Sequence, residues 1–188
     1  MIVLIYLFLQ KYLNMKNTII TLLIFMSSTI LFSQSFYDIA IKDIKGENLN
    51  LNEFKGKYVL VVNVASRCGY TKQYADLEKL YQEYENLVIL GVPCNQFANQ
   101  EPKNEAEILE FCRNKYDVSF PMTSKVNVKG KSKHPLYQWL TEKEKNKINN
   151  FRISWNFNKF LINPDGDLLA HFGSGVKPLN KKITSLIK

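Results

Sequence analysis

Residues 57–64 form a continuous apolar run, the pattern of a central strand covered on both faces. Residues 71–85 carry Tyr74, Leu77, Leu80, Tyr81 and Tyr84 at helical spacing, and residues 87–92 read as a second buried strand. A second helix is predicted over 105–116, with Ile108, Leu109, Phe111 and Cys112 as its apolar members, and a shorter one over 134–142. Residues 157–162 and 168–172 flank Asn163-Pro-Asp-Gly166, a strong hairpin turn signal. Pro178 is well placed near the start of a closing helix. Upstream, residues 36–44 and 48–51 around Gly46 predict a short hairpin.

Strand, helix, strand, helix, then a hairpin and a last helix describe an α/β domain of thioredoxin-like fold, a central mixed β-sheet flanked by helices. No repeat or low-complexity linker interrupts residues 35–188, which are long enough for one domain with a real core. Chemistry on such a fold is expected at the carboxyl ends of parallel strands, here the junction between the strand 57–64 and the helix that follows it.

Residues 1–34 differ in kind. Lys16 and Asn17 precede an uncharged run from Thr18 to Phe32, closed by Ser33 and Gln34. A cationic start, a short apolar stretch and small or polar residues are the parts of an export signal, with Met15 as an alternative start. The expected mature domain begins near Ser35 and works outside the cytoplasm, periplasmic or secreted. The alternative is an uncleaved membrane anchor, since residues 2–9 are apolar too. The net charge of +8 includes Lys11 and Lys16 with no acid before residue 35, so the domain carries +6. Those bases are scattered rather than gathered into an aromatic-laced stripe, which argues against nucleic acid as a partner.

The candidate chemistry lies in three cysteines at positions 68, 94 and 112. No C-x-x-C pair exists, which speaks against a zinc site and a local dithiol alike, and Thr71 holds the place of a second cysteine after Cys68. His134 and His171 sit in no recognised cysteine-hydrolase context. Cys68 falls at the strand–helix junction beside Ser66, Arg67 and Gly69, where backbone N–H groups favour the thiolate that attacks a peroxide oxygen. Cys94, at the end of a buried strand, reads as packing.

Three stretches then resemble the signatures of glutathione peroxidases, in order and at matching spacing. They are residues 63–71 (Asn-Val-Ala-Ser-Arg-Cys-Gly-Tyr-Thr), 93–102 (Pro-Cys-Asn-Gln-Phe-Ala-Asn-Gln-Glu-Pro) and 155–157 (Trp-Asn-Phe), within a similarity running over about residues 36–180. The resemblance implies Cys68 as the peroxide-reactive cysteine of a non-selenium enzyme, assisted by Gln100, Trp155 and Asn156, with Gln96 the weaker of the two glutamines. Amide and indole N–H groups suit that task because they stabilise developing negative charge without titrating. Cys112, following Phe111, matches the resolving cysteine of the thioredoxin-dependent branch. The implied reaction is reduction of hydrogen peroxide and organic or lipid hydroperoxides, with no cofactor and no metal, by electrons from a thioredoxin-like protein or glutathione. Ala98-Asn99 departs from the small Gly-rich pair often found in the second signature. Only fourteen residues separate Leu140 from Trp155, too few for the insertion through which tetrameric members associate, so the resemblance implies a monomer. No obvious set of arginines is present to grip glutathione. Two alternatives stay open at this stage: a thiol–disulfide oxidoreductase on the same fold, and a redox relay that passes oxidation from peroxide to a partner protein.

Overall fold

The structure, a computed structural model, describes residues 2–26 and 35–188. The chain divides into two units, Met1–Ser33 and Gln34–Lys188. In the first, Ile2–Met26 form helix α1, whose apolar residues are interrupted by Gln10, Lys11, Asn14 and Lys16. No helix among the described residues is long and apolar enough to cross a membrane. Ser33 and Gln34, where the export signal is expected to end, lie outside the described residues.

In the second unit, a 3-10 turn at Phe36–Asp38 leads into the two-stranded ribbon of β1 (Ile41–Lys42) and β2 (Asn48–Leu49), followed by a second 3-10 turn at Leu51–Phe54. The main chain of the fold is β3 (Tyr58–Val64), α2 (Gln73–Glu83), β4 (Leu87–Pro93), α3 (Glu105–Tyr116), α4 (Pro135–Thr141), α5 (Lys143–Asn146), β5 (Lys159–Ile162), β6 (Leu168–Phe172) and α6 (Lys181–Thr184). The four-stranded sheet runs β4-β3-β5-β6, with β4 parallel to β3 and the pairs β3–β5 and β5–β6 antiparallel. It is the mixed sheet and thioredoxin-like order that the sequence predicts.

Strand alternation builds a core on each side of the sheet. Val59, Val61, Val88, Leu90, Val92, Phe160 and Ile162 pack on one side with Phe36, Tyr137, Trp139 and Leu140. Leu60, Val62, Val64, Ile89 and Leu161 pack on the other with Tyr74, Leu77 and Leu80 of α2 and Ile108 and Cys112 of α3. Both faces are covered, which is why β3 and β4 are apolar apart from Asn63 instead of alternating with polar residues.

The departures from the predicted boundaries have local causes. Helix α3 begins at Glu105, as expected, because Asn104 caps it: its side chain accepts the Glu107 N–H while the Glu107 carboxylate accepts the Asn104 N–H. Strand β5 starts two residues late, at Lys159, because Phe157 adopts φ 63, a left-handed conformation that no strand contains. Helix α2 starts at Gln73, after a run of turns at residues 66–72. The predicted first hairpin shrinks to two-residue strands, its flanks taking 3-10 turns capped by Ser35 and Asn50. The closing helix is a single turn, and α5, which the apolar pattern does not announce, is polar throughout, with Asn146 buried.

Candidate active site

Cys68 sits in the turn between β3 and α2, 8% exposed and at the edge of the core beneath α2. The turn is fixed around it. The Cys68 N–H donates to Thr71 Oγ1 (2.9 Å), the Thr71 hydroxyl donates to the Ala65 carbonyl (2.8 Å), and the Thr71 N–H closes back on the Cys68 carbonyl (3.0 Å). The residue in the place of a second redox cysteine is therefore the brace of the loop. The Tyr70 N–H donates to Cys68 Sγ at 3.4 Å. The donor to sulfur thus comes from this turn and not from the first turn of α2, which starts later than the sequence suggests.

The other candidates come from two further loops. Gln100 follows β4, and its backbone carbonyl accepts the Arg67 N–H at 3.0 Å, tying the second signature stretch to the residue next to Cys68. Its side-chain carbonyl accepts the Asn156 Nδ2 at 3.1 Å. Asn156 is fully buried, and its own Oδ1 has no hydrogen-bond partner among the described residues. Trp155 is half-buried, its ring 5.9 Å from that of Phe97, and it packs against the same core cluster that holds Cys68. Gln100 and Asn156 are therefore brought together, and Trp155, next to Asn156 in the chain, packs against the cluster that includes Cys68. Gln96 turns away: its Oε1 accepts the N–H groups of Val128 and Lys129, and it serves a neighbouring loop.

Cys94 is fully buried, and desolvation pushes its thiol above the usual cysteine range, the setting of a packing residue. Cys112 lies in α3 with no exposure. Burial, reinforced by the carboxylate of Glu101 and only partly offset by the nearby Tyr74 hydroxyl, raises its thiol to about 12. That hydroxyl is itself buried and makes no hydrogen bond of normal geometry, so its influence on the thiol is that of a polar neighbour. All three cysteines are free thiols. No group of three or more histidine, cysteine or acidic residues among the described residues is arranged to hold a metal ion.

Several site residues escaped the sequence reading. Glu101 is fully buried, and one of its oxygens accepts both the Ser66 N–H (2.8 Å) and the Ser66 hydroxyl (3.0 Å), which anchors the Cys68 loop from below. Its other oxygen is unpartnered among the described residues. Burial raises its carboxyl, against the pull of the Ser66 hydrogen bonds and of Lys125 and Lys103. Asn63 and Lys159 are also fully buried and hold the loop of Trp155 and Asn156. Their signal was present in the sequence: each is a polar residue inside a stretch predicted to be a strand.

Cys94 Sγ, just past β4, also accepts a backbone N–H, from Gln96 at 3.4 Å, so what marks Cys68 is its place in the β3–α2 turn, braced by a threonine where dithiol enzymes have cysteine, the arrangement of a thiol peroxidase on a thioredoxin-like scaffold. The family model described as glutathione peroxidase matches residues 36–141. Glutathione peroxidase-like peroxiredoxin 2 of Saccharomyces cerevisiae is 45% identical over 157 residues, covering 81% of this chain and 97% of its own. Glutathione peroxidase-like peroxiredoxin gpx1 of Schizosaccharomyces pombe is 48% identical over 145 residues, covering 76% of this chain and 91% of its own. Among solved structures, the apo form of Trgpx superposes with a TM-score of 0.63 at 39% identity, covering 81% of this chain and 95% of that one. The chain belongs to the glutathione peroxidase family.

Proposed function

We propose that this protein reduces hydrogen peroxide and organic hydroperoxides through Cys68, with Gln100, Trp155 and Asn156 as its donors and Cys112 as its resolving cysteine. The observation that carries the reading is the Cys68 turn itself, closed by Thr71 and Tyr70 and tied through Arg67 to Gln100, which in turn binds Asn156. The Cys68 thiolate attacks the distal peroxide oxygen, the O–O bond breaks, and the departing alkoxide or hydroxide takes up a proton. Cys68 is left as a sulfenic acid. The neutral donors offset charge on the departing oxygen. Cys112 then attacks the sulfenic sulfur, forming the Cys68–Cys112 disulfide and expelling the hydroxyl, which leaves as water with the proton of the Cys112 thiol.

Cys112 has no exposure and burial raises its thiol to about 12, so in this reading α3 opens around it before it attacks Cys68. A dithiol protein of the thioredoxin type is the reductant best suited to the resulting intramolecular disulfide, as the peroxiredoxin-like names of the yeast relatives also suggest, with glutathione as the alternative. Cys68→Ser is expected to abolish turnover, and Cys94→Ser to retain most of it. Cys112→Ser is expected to form the sulfenic acid yet lose turnover with thioredoxin-type reductants. Steady-state peroxide consumption with each reductant in turn tests this, and full activity of Cys68→Ser would end the assignment.

Export rests on Lys16 and the apolar run that follows it. N-terminal sequencing of the protein from its native cell should find a start near Ser35. An intact residue 15–34 segment on soluble cytoplasmic protein would refute export, and the same segment on membrane-bound protein would favour an anchor.

A further inference from the structure

The turn that carries Trp155 and Asn156 is held by a buried amine that the peroxidase chemistry does not use. Phe157 stands at φ 63, where a bulky aromatic residue persists only when its surroundings impose the conformation. Its N–H donates to the Asn63 carbonyl at 2.6 Å, and its carbonyl accepts the Lys159 Nζ at 2.7 Å. On either side, the Trp155 carbonyl accepts Asn63 Nδ2 (3.1 Å) and Asn158 Nδ2 (2.8 Å), and the Asn158 N–H donates to Asn63 Oδ1 (2.9 Å). Asn158 Oδ1 is in turn held by His171 Nε2 at 2.9 Å.

Within this clamp Lys159 is anomalous. It has no exposure, it forms no ion pair with a described residue, and the Phe157 carbonyl is the hydrogen-bond partner of its amine. Burial pulls the amine down from 10.5 to about 7, so near neutral pH the fold works against its charge. An apolar side chain of the same length would avoid that cost, so stability is not a sufficient account of a lysine here.

We propose that Lys159 is a positioning residue for peroxide reduction: by gripping the Phe157 carbonyl it locks the left-handed turn and fixes Trp155 and Asn156 beside Cys68. The proposal rests on the reading of Trp155 and Asn156 as donors to the Cys68 reaction. It separates two properties that a merely structural residue would lose together.

The test compares stopped-flow oxidation of Cys68 by hydrogen peroxide with the thermal midpoint, in wild type, Lys159→Met, Lys159→Gln, Asn156→Ala and the double variant Lys159→Met/Asn156→Ala. Lys159→Met should slow oxidation about tenfold or more while its melting temperature holds or rises. Lys159→Gln, which keeps a neutral N–H donor within reach of the carbonyl, should recover most of the rate and also serves if the Met variant folds poorly. The double variant should be slower than Asn156→Ala by less than the factor that Lys159→Met costs alone, because Asn156 is one of the two donors that Lys159 positions. A wild-type rate in Lys159→Met, or rate and melting temperature falling together in both Lys159 variants, overturns the proposal while leaving a slow Asn156→Ala to support the donors. A wild-type rate in Asn156→Ala removes the donor reading itself, and this proposal with it.

Discussion

At the residue scale, the proposed site pairs the Cys68 thiol with side chains that can donate without titrating. The side-chain amide nitrogen of Gln100 and the indole N–H of Trp155 donate no hydrogen bond to a described residue, so both are available to a peroxide oxygen. Gln100→Ala, Trp155→Phe and Asn156→Ala are each expected to slow Cys68 oxidation by about 10²–10³-fold, and their doubles to be less than additive, as measured by stopped-flow kinetics. Lys159 gives a second prediction, in pH. Its folded-state value lies below its ordinary one, so between about 7 and 10.5 the unfolded chain binds the extra proton and stability rises with pH through that window. The buried-charge penalty is complete below about 7. The stability advantage of Lys159→Met over wild type should therefore be largest at pH 6–7 and fade toward pH 10, as read from denaturant midpoints at each pH. A constant difference across that range would show that the amine is not held neutral.

At the scale of elements, the proposed resolution by Cys112 turns on α3. Its N-terminus is secured by the reciprocal Asn104–Glu107 cap, whereas its C-terminus closes on Asp117 at φ 53, a conformation that glycine tolerates better than aspartate. The Asp117 N–H donates to the Arg113 carbonyl (3.0 Å) and the Val118 N–H to the Cys112 carbonyl (3.3 Å), so the left-handed residue closes the end of the helix that holds Cys112. Asp117→Gly should relieve the left-handed strain, stabilise the helix end by up to about 1 kcal/mol and slow Cys68–Cys112 disulfide formation after a peroxide pulse. Calorimetry and quenched-flow alkylation give the two readings. Faster disulfide formation in a more stable variant would contradict an opening of α3 from this end.

The same scale shows why some elements were legible in the sequence and others were not. Strands β3 and β4 are covered on both faces, so their apolar runs read directly, and α3 carries its cap in its own sequence. The start of β5 was not legible, because Phe157 is bent by the hydrogen bond its N–H donates to the Asn63 carbonyl, 94 residues away, and by the one its carbonyl accepts from Lys159. The late start of α2 has a similar origin in the Thr71 brace, a local hydrogen bond that hydrophobic periodicity cannot register.

At the scale of the whole molecule, the sheet brings three distant stretches of chain to one end of the β3–β4 pair. Cys68 follows β3, Gln100 follows β4, and Trp155 and Asn156 precede β5, the antiparallel neighbour of β3. Motif order in the sequence was enough to name these residues, because each lies in a signature stretch. It was not enough to show what supports them: Glu101 under Ser66, and Asn63 and Lys159 under the Trp155 turn, act through buried contacts that only the fold creates. The short segment between Leu140 and Trp155 is filled by the single turn of α5 and the Asn146-centred loop, whose side chain bonds the Leu140 and Asn149 carbonyls. We expect the protein to sediment as a monomer, with a concentration-dependent shift in analytical ultracentrifugation as the contrary result.

The most direct test of the account is to treat the reduced protein with one equivalent of hydrogen peroxide, block the remaining thiols and map the peptides by mass. The account predicts one intramolecular disulfide joining Cys68 to Cys112, with Cys94 alkylated, and in Cys112→Ser a trapped sulfenic acid on Cys68. Oxidation that spares Cys68, or a disulfide that joins Cys68 to Cys94 instead, would contradict it.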